Sequence, residues 1–159
     1  MTWETPTVRS AARVLLLDED RRVLLVRFHY LGRSWWVAPG GGLEDDETHE
    51  DAARREVAEE TGFELEEPGP WVWTREHVFR FEGRLYRQQE RYFLAEVPGF
   101  EPRPKLLGAA EVGVFSGLRW WTLPELEDTD EEFAPADLPV LVRNLVEEGP
   151  PGRPVAVGV

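Results

Sequence analysis

The sequence predicts a single α/β domain in which a mixed sheet lies between helices. Three observations carry this. The apolar runs are short and rich in Val and Leu, the clearest helical patterns fall after them, and the order reads strand, strand, strand, helix, strand, strand, strand, helix. At 159 residues the chain is one domain's length and can bury roughly two thirds of its unfolded surface, so a core forms without staples. We place the domain at residues 1–149 and a C-terminal tail at 150–159.

The elements follow from local signals. Arg9 to Leu17 and Val23 to Phe28 are β-type runs around the turn-like Asp18 to Arg21, which predicts a hairpin. Tyr30, Gly32, Arg33 and Ser34 read as a loop, after which Trp35, Trp36 and Val37 resume a strand that runs into Gly40, Gly41 and Gly42. Thr48 opens a helix as N-cap, with Asp51 in capping-box position, and Gly62 stops it. Trp71 to Phe81 and Arg84 to Val97 form a second hairpin turning at Glu82-Gly83. Pro98 to Gly117 has no period and reads as a loop, and Leu118 to Trp121 is a late strand.

Thr122 and Glu125 make another capping box for a short helix from Leu123. Asp137 is the expected N-cap of a last helix in which Leu138, Leu141, Val142 and Leu145 recur at helical spacing before Gly149. The ending PPGRPVAVGV carries three prolines and is expected to be loose or to lie along a partner, which leaves a homodimer open.

Composition excludes several functions. With no cysteine there is neither a disulfide framework nor thiolate chemistry, and MTWETPTVRS lacks a basic region followed by an apolar run, so a cytoplasmic protein is the default. Apolar stretches such as Val14 to Leu17 fall far short of the ~20 residues that span a bilayer, so no membrane partner is expected. The formal charge of −13 argues against broad nucleic-acid binding, which needs basic surface.

Much of that charge sits in one place. Nine acids lie between Glu44 and Glu60 against Arg54 and Arg55. Helical geometry puts Ala52, Glu56, Glu59 and Glu60 on one arc with Ala53, Val57 and Thr61 beside them. Like charges at this spacing destabilise a helix by a few tenths of a kcal/mol per pair, roughly, unless a cation sits among them. Oxygen-only donors suit Mg²⁺ or Mn²⁺, whose shell a phosphate ligand would complete. Arg55, one turn before Glu59, can orient that carboxylate. A solvated acidic helix is the plainer reading of the charges alone.

The full spacing decides between them. Gly41, five residues, Glu47, seven residues, then Arg55-Glu56-Val57-Ala58-Glu59-Glu60-Thr61-Gly62-Phe63 resembles the signature of the Nudix hydrolase family, with Phe63 at its bulky apolar end. Asp46 stands where many members carry glycine, at a position the signature leaves free. The resemblance implies a Nudix-type α/β/α sandwich with a mixed sheet. It also implies hydrolysis of a pyrophosphate linkage in a nucleoside diphosphate derivative or nucleoside triphosphate, a small nucleotide-type substrate.

On that resemblance Glu56, Glu59 and Glu60, with the carbonyl of Gly40, would hold Mg²⁺ or Mn²⁺. Glu59, Glu56 and Glu111 are candidate bases, Glu111 because members often supply a further glutamate from the loop before the late strand. Glu59 is favoured because Arg55 can orient it. Substrate contacts are assigned to Arg27, Trp35, Arg87 and Arg91; the alternative for the strand arginines is the wet face of an antiparallel sheet. No marker of ADP-sugar, dinucleoside-polyphosphate, NADH or coenzyme A members is found. A nucleotide-sensing or interaction module is the rival class, disfavoured by the intact charged residues of the signature.

Overall fold

The computed structural model describes residues 3–105 and 114–159. Among these, β1 (Thr7–Leu17), β2 (Val23–Tyr30), β3 (Arg33–Val37), β4 (Gly40–Gly42), β5 (Trp71–Phe81), β6 (Arg84–Glu96), β7 (Phe115–Trp121) and β8 (Val155–Val157) form one sheet. The helices are α1 (His49–Thr61), α2 (Leu123–Glu127) and α3 (Leu138–Glu148). The strand order is β3-β2-β1-β6-β5-β8, with β4 on β1 and β7 on β2.

The sheet is mixed because β1 runs parallel to β6 along its whole length but antiparallel to β2 and β4. Side chains alternate across β1. Val14 and Leu16 pack with Ala52, Ala53 and Val57 of α1, while Leu15 faces Leu138, Val142 and Leu145 of α3 together with Trp121 and Leu126. Both sides of the strand are therefore core, at about 1.5–3 kcal/mol per fully buried Leu or Val. Helices cover both faces, which makes the α/β/α sandwich expected from the sequence.

Several boundaries moved. The second strand continues to Tyr30 and the third starts at Arg33, so the expected loop is only Leu31 and Gly32, at φ of 50° and 78°. The late strand begins at Phe115, three residues early, because it continues to pair with β2 past a register shift beside Phe28. Asp137 occupies the N-cap of α3 without a side-chain cap bond.

The tail differs most. Val155–Val157 adds a parallel edge strand to Trp73–Arg75 of β5, and the amide of Ala136 donates to the carbonyl of Val159 at 3.1 Å. It lies along its own chain because β5 has an open edge there and Pro154 gives way to an unbroken run of strand formers.

Candidate active site

The glycine loop is held in the plane of the sheet. β2 pairs with β1 only at Leu17, and β4 takes the vacated edge, with Ala11, Ala12 and Arg13 opposite Gly42, Gly41 and Gly40. Gly40 has φ of 155°, and a Cβ there would lie 2.1 Å from the Ala12 carbonyl oxygen, so only glycine fits. A Cβ on Gly41 would lie 2.5 Å from Oε1 of Glu56. The second glycine is what lets that carboxylate come up against the loop.

Helix α1 is fixed at both ends as its sequence predicts. Thr48 and Asp51 form the reciprocal capping box, and Gly62 ends the helix at φ of 81°. Its buried stripe is Ala52, Ala53, Glu56, Val57, Glu60 and Thr61, which mixes aliphatic core with two of the carboxylates. Glu60 has no exposed surface, and its Oε1 accepts from the Gly40 amide at 2.7 Å. The third, Glu59, keeps its side chain 22% exposed.

Arg55 organises these acids, and Glu59 is one of its several partners. Its Nε and Nη2 donate to Glu47 at 2.7 and 2.9 Å, and Nη2 also donates to the Gly42 carbonyl at 3.0 Å. Nη1 reaches Glu56 Oε1 at 3.0 Å and Glu59 Oε2 at 3.3 Å. The two-pronged contact is with Glu47, ahead of the helix, because that residue lies in the plane of the guanidinium's Nε edge. The Arg55 contact is the main reason the Glu47 carboxyl is held below its ordinary range.

The donor set fits a hard divalent cation. Glu56, Glu59 and Glu60 offer only oxygens, they gather around one loop, and Gly41 leaves room for no side chain between loop and carboxylate. Among the described residues no group of three acidic or imidazole side chains already closes into a cage. Glu111 lies outside the described residues.

The assigned substrate residues are not all brought together. Register pairs Arg91 with Ala12, which packs under α1, so Arg87 and Arg91 share the α1 face, whereas Tyr86 and Tyr92 point the other way. One side of β6 therefore does not combine those arginines with those tyrosines. Arg91 stacks on Trp71 at 4.1 Å, and Arg87 lies 3.6 Å from exposed Glu76. Trp35 packs on Phe28 with ring centroids 6.4 Å apart. Arg27 stands opposite Trp36, on the α3 face, and its Nε is buried with no hydrogen-bond partner among the described residues.

Sequence reasoning missed a buried polar cluster on the α3 face. Glu90 accepts from Arg13 at 2.6 Å, Arg75 at 2.7 Å, Gln88 at 2.8 Å and Tyr92 at 3.2 Å. Burial opposes ionisation of Glu90, but the two guanidinium groups outweigh it and bring its pKa down to about 2. Beyond it the rings of His77, Phe79 and Tyr86 form a ladder, with centroids 4.8 and 5.6 Å apart. Burial, then the charge of Arg75, lowers His77 to about 4, so this imidazole is neutral at pH 7. The alternation of charged and aromatic residues in β5 and β6 was the available signal, but only register tells which of them share a face.

Comparison with known proteins says to which class this constellation on a mixed sheet belongs. The NUDIX domain family matches residues 7–143, and the chain belongs to that family. RNA pyrophosphohydrolases of Pseudomonas fluorescens (strain SBW25) and Pseudomonas putida (strain GB-1) are 33% and 32% identical over 124 residues, 70% of this chain and 75% of theirs. This chain is likewise a pyrophosphohydrolase by class. In structure it resembles the MutT protein of Methanosarcina mazei Go1, with a TM-score of 0.65 at 20% identity covering 92% of this chain and 98% of that one. A MutT NUDIX hydrolase of Burkholderia pseudomallei gives a TM-score of 0.64 at 22% identity, covering 85% and 97%. Family members use divalent metals. Among the described residues no helix is long and apolar enough to cross a membrane.

Proposed function

We propose that this protein hydrolyses a pyrophosphate linkage in a nucleoside triphosphate or nucleoside diphosphate derivative, using Mg²⁺ or Mn²⁺ held by Glu56, Glu59, Glu60 and the Gly40 carbonyl. The observation that carries this is the gathering of those carboxylates around a loop only glycines can form, with Arg55 bridging loop and helix. A bound divalent cation supplies Lewis acidity toward the phosphoryl oxygens. The protein supplies the rest. Glu59, the most exposed of the three acids, takes a proton from the attacking water; Arg55 orients it. The water oxygen forms the new P–O bond, and the bridging oxygen of the anhydride leaves with the departing phosphate.

Substrate selection falls to the α3 face, where Arg27 offers a half-buried guanidinium and the His77, Phe79 and Tyr86 rings offer a stacking surface for a base. Arg87 and Arg91, on the α1 face, and Trp35 are assigned contacts apart from that surface. The Pseudomonas relatives make the 5′-polyphosphate end of RNA a substrate to weigh against free nucleotides, and the charge of −13 favours the smaller ones. A cytoplasmic setting suits either.

The deciding experiment is a panel of nucleoside triphosphates, nucleotide sugars, ADP-ribose, NADH, dinucleoside polyphosphates and 5′-triphosphorylated RNA, run with each metal in ¹⁸O-water. Label in one phosphate product and preference for a few substrates are expected. An uncut panel would pass the chain to the nucleotide-sensing alternative.

A further inference from the structure

The buried cluster behind the glycine loop is continuous from the β8 edge of the sheet inward to β1 and β4. At its far end the Gly158 carbonyl accepts from Arg75 Nε at 3.1 Å. Arg75 Nη1 then donates to Glu90 Oε1, Arg13 Nε donates to Glu90 Oε2, and Arg13 Nη1 donates to the Ala38 carbonyl at 3.0 Å. Ala38 leads through Pro39 into Gly40, and the Pro39 carbonyl accepts from the Val14 amide at 2.8 Å. The side chains of Arg75 and Glu90 are 5% and 0% exposed, and that of Arg13 is 12% exposed.

This path crosses β8, β5, β6 and β1 to reach β4, about 19 Å at the usual strand spacing. Its bonds join ionised groups in a low-dielectric interior, the kind that hold geometry most firmly. Two guanidinium groups share one carboxylate, so the cluster carries one net positive charge. Arg13, at its near end, feels the charge of Glu60, the carboxylate that grips the Gly40 amide.

We propose that the C-terminal strand and the Arg75–Glu90–Arg13 chain form a strut that positions the glycine loop, so that Arg13, Arg75 and Glu90 are positioning residues for the reaction. The strut sets the place of the Gly40 carbonyl and balances charge beside Glu60. It rests on the assignment of Gly40, Glu56, Glu59 and Glu60 as the metal site. The tail 150–159 is on this view a working part of the site.

The test compares the full chain with full-length Arg75→Lys, which keeps a charge but cannot bond Glu90 and Gly158 together, and with a chain ending at Arg153. Val142→Ala, in the α3 core and outside the strut's hydrogen bonds, controls for lost stability. Hydrogen exchange in metal-free protein is read at the amides of Val14, Gly40 and Leu43. Both strut variants should exchange there about tenfold faster at unchanged secondary structure, while the control does not. Their Mn²⁺ affinity, by electron paramagnetic resonance, should fall about tenfold, and kcat should fall with KM within about twofold.

Unchanged exchange and Mn²⁺ affinity within twofold of the full chain would overturn the strut. If the shortened chain does not fold, Arg75→Lys decides by the same readings. If the full chain itself binds no Mn²⁺, the metal-site assignment fails, while the exchange measurement still decides whether the tail holds the loop.

Discussion

Arg55 and Glu47 are joined by two hydrogen bonds of 2.7 and 2.9 Å, and this pair ties the segment before α1 to the helix that carries the acids. The geometry is a planar fork on a carboxylate, which an ammonium cannot reproduce.

Arg55→Lys should accordingly cut turnover by roughly tenfold to a hundredfold, on the scale of a misplaced reacting group. Glu47→Gln should share much of that defect, although Glu47 is no metal candidate. Kinetics of both variants, with circular dichroism to confirm the fold, make the check. A silent Glu47→Gln would show that the fork does not serve the site.

Glu60→Gln keeps an acceptor for the Gly40 amide but removes a charge from a fully buried position. Hydrolysis should drop by at least about a hundredfold at limiting Mg²⁺. In the wild type, added Mn²⁺ should raise the melting temperature by mass action, and the variant should lose most of that rise. Thermal scans with and without metal read both effects.

Gly41→Ala tests the packing of loop on carboxylate. Its backbone angles are open to alanine, so any effect comes from the methyl group meeting Glu56. A stability loss of about 1–3 kcal/mol and a larger fractional loss of activity are expected, measured by urea titration and initial rates.

Acid stability should fall in two steps. His77 is depressed from 6.5 to about 4, so the unfolded chain binds its proton first and stability is lost as pH falls from 6.5 toward 4. Glu90 is depressed from 4.5 to about 2, so its contribution, present above 4.5, is lost as pH falls toward 2. His77→Gln should flatten the upper step. Glu90→Gln should flatten the lower one and, by leaving two arginines buried without their carboxylate, cost about 3–5 kcal/mol at neutral pH. Denaturant titrations between pH 2 and 7 would settle both.

What the sequence disclosed was local. The Thr48 and Thr122 capping boxes and the Gly62 stop are each written within a few residues, and the structure places them as read, whereas the three glycines pair with β1 as the short strand β4. The contact between Arg13 and Glu90 spans 77 residues and leaves no mark on either neighbourhood. Which face Arg87 and Arg91 take, and that Tyr86 and Tyr92 take the other, depends on register, which composition does not carry. The tail was read from its prolines, whereas Val155–Val157 is too short to show a strand period and becomes one through the open edge of β5.

The parallel pairing of β1 with β6 also sets an order of events. Thr7 ends up opposite Tyr86 and Leu17 opposite Glu96, so a chain made from its N-terminus must complete more than half its length before its first strand gains that neighbour. Until then Val14 and Leu16 have α1, the glycine strand and the tip of β2 beside them, whereas Leu15, which packs against α3, stays open to chaperones and to misassociation. In pulse-labelled refolding the β6 amides facing β1 should gain protection after the β5–β6 hairpin has formed, which makes maturation of the site wait on a long-range pairing.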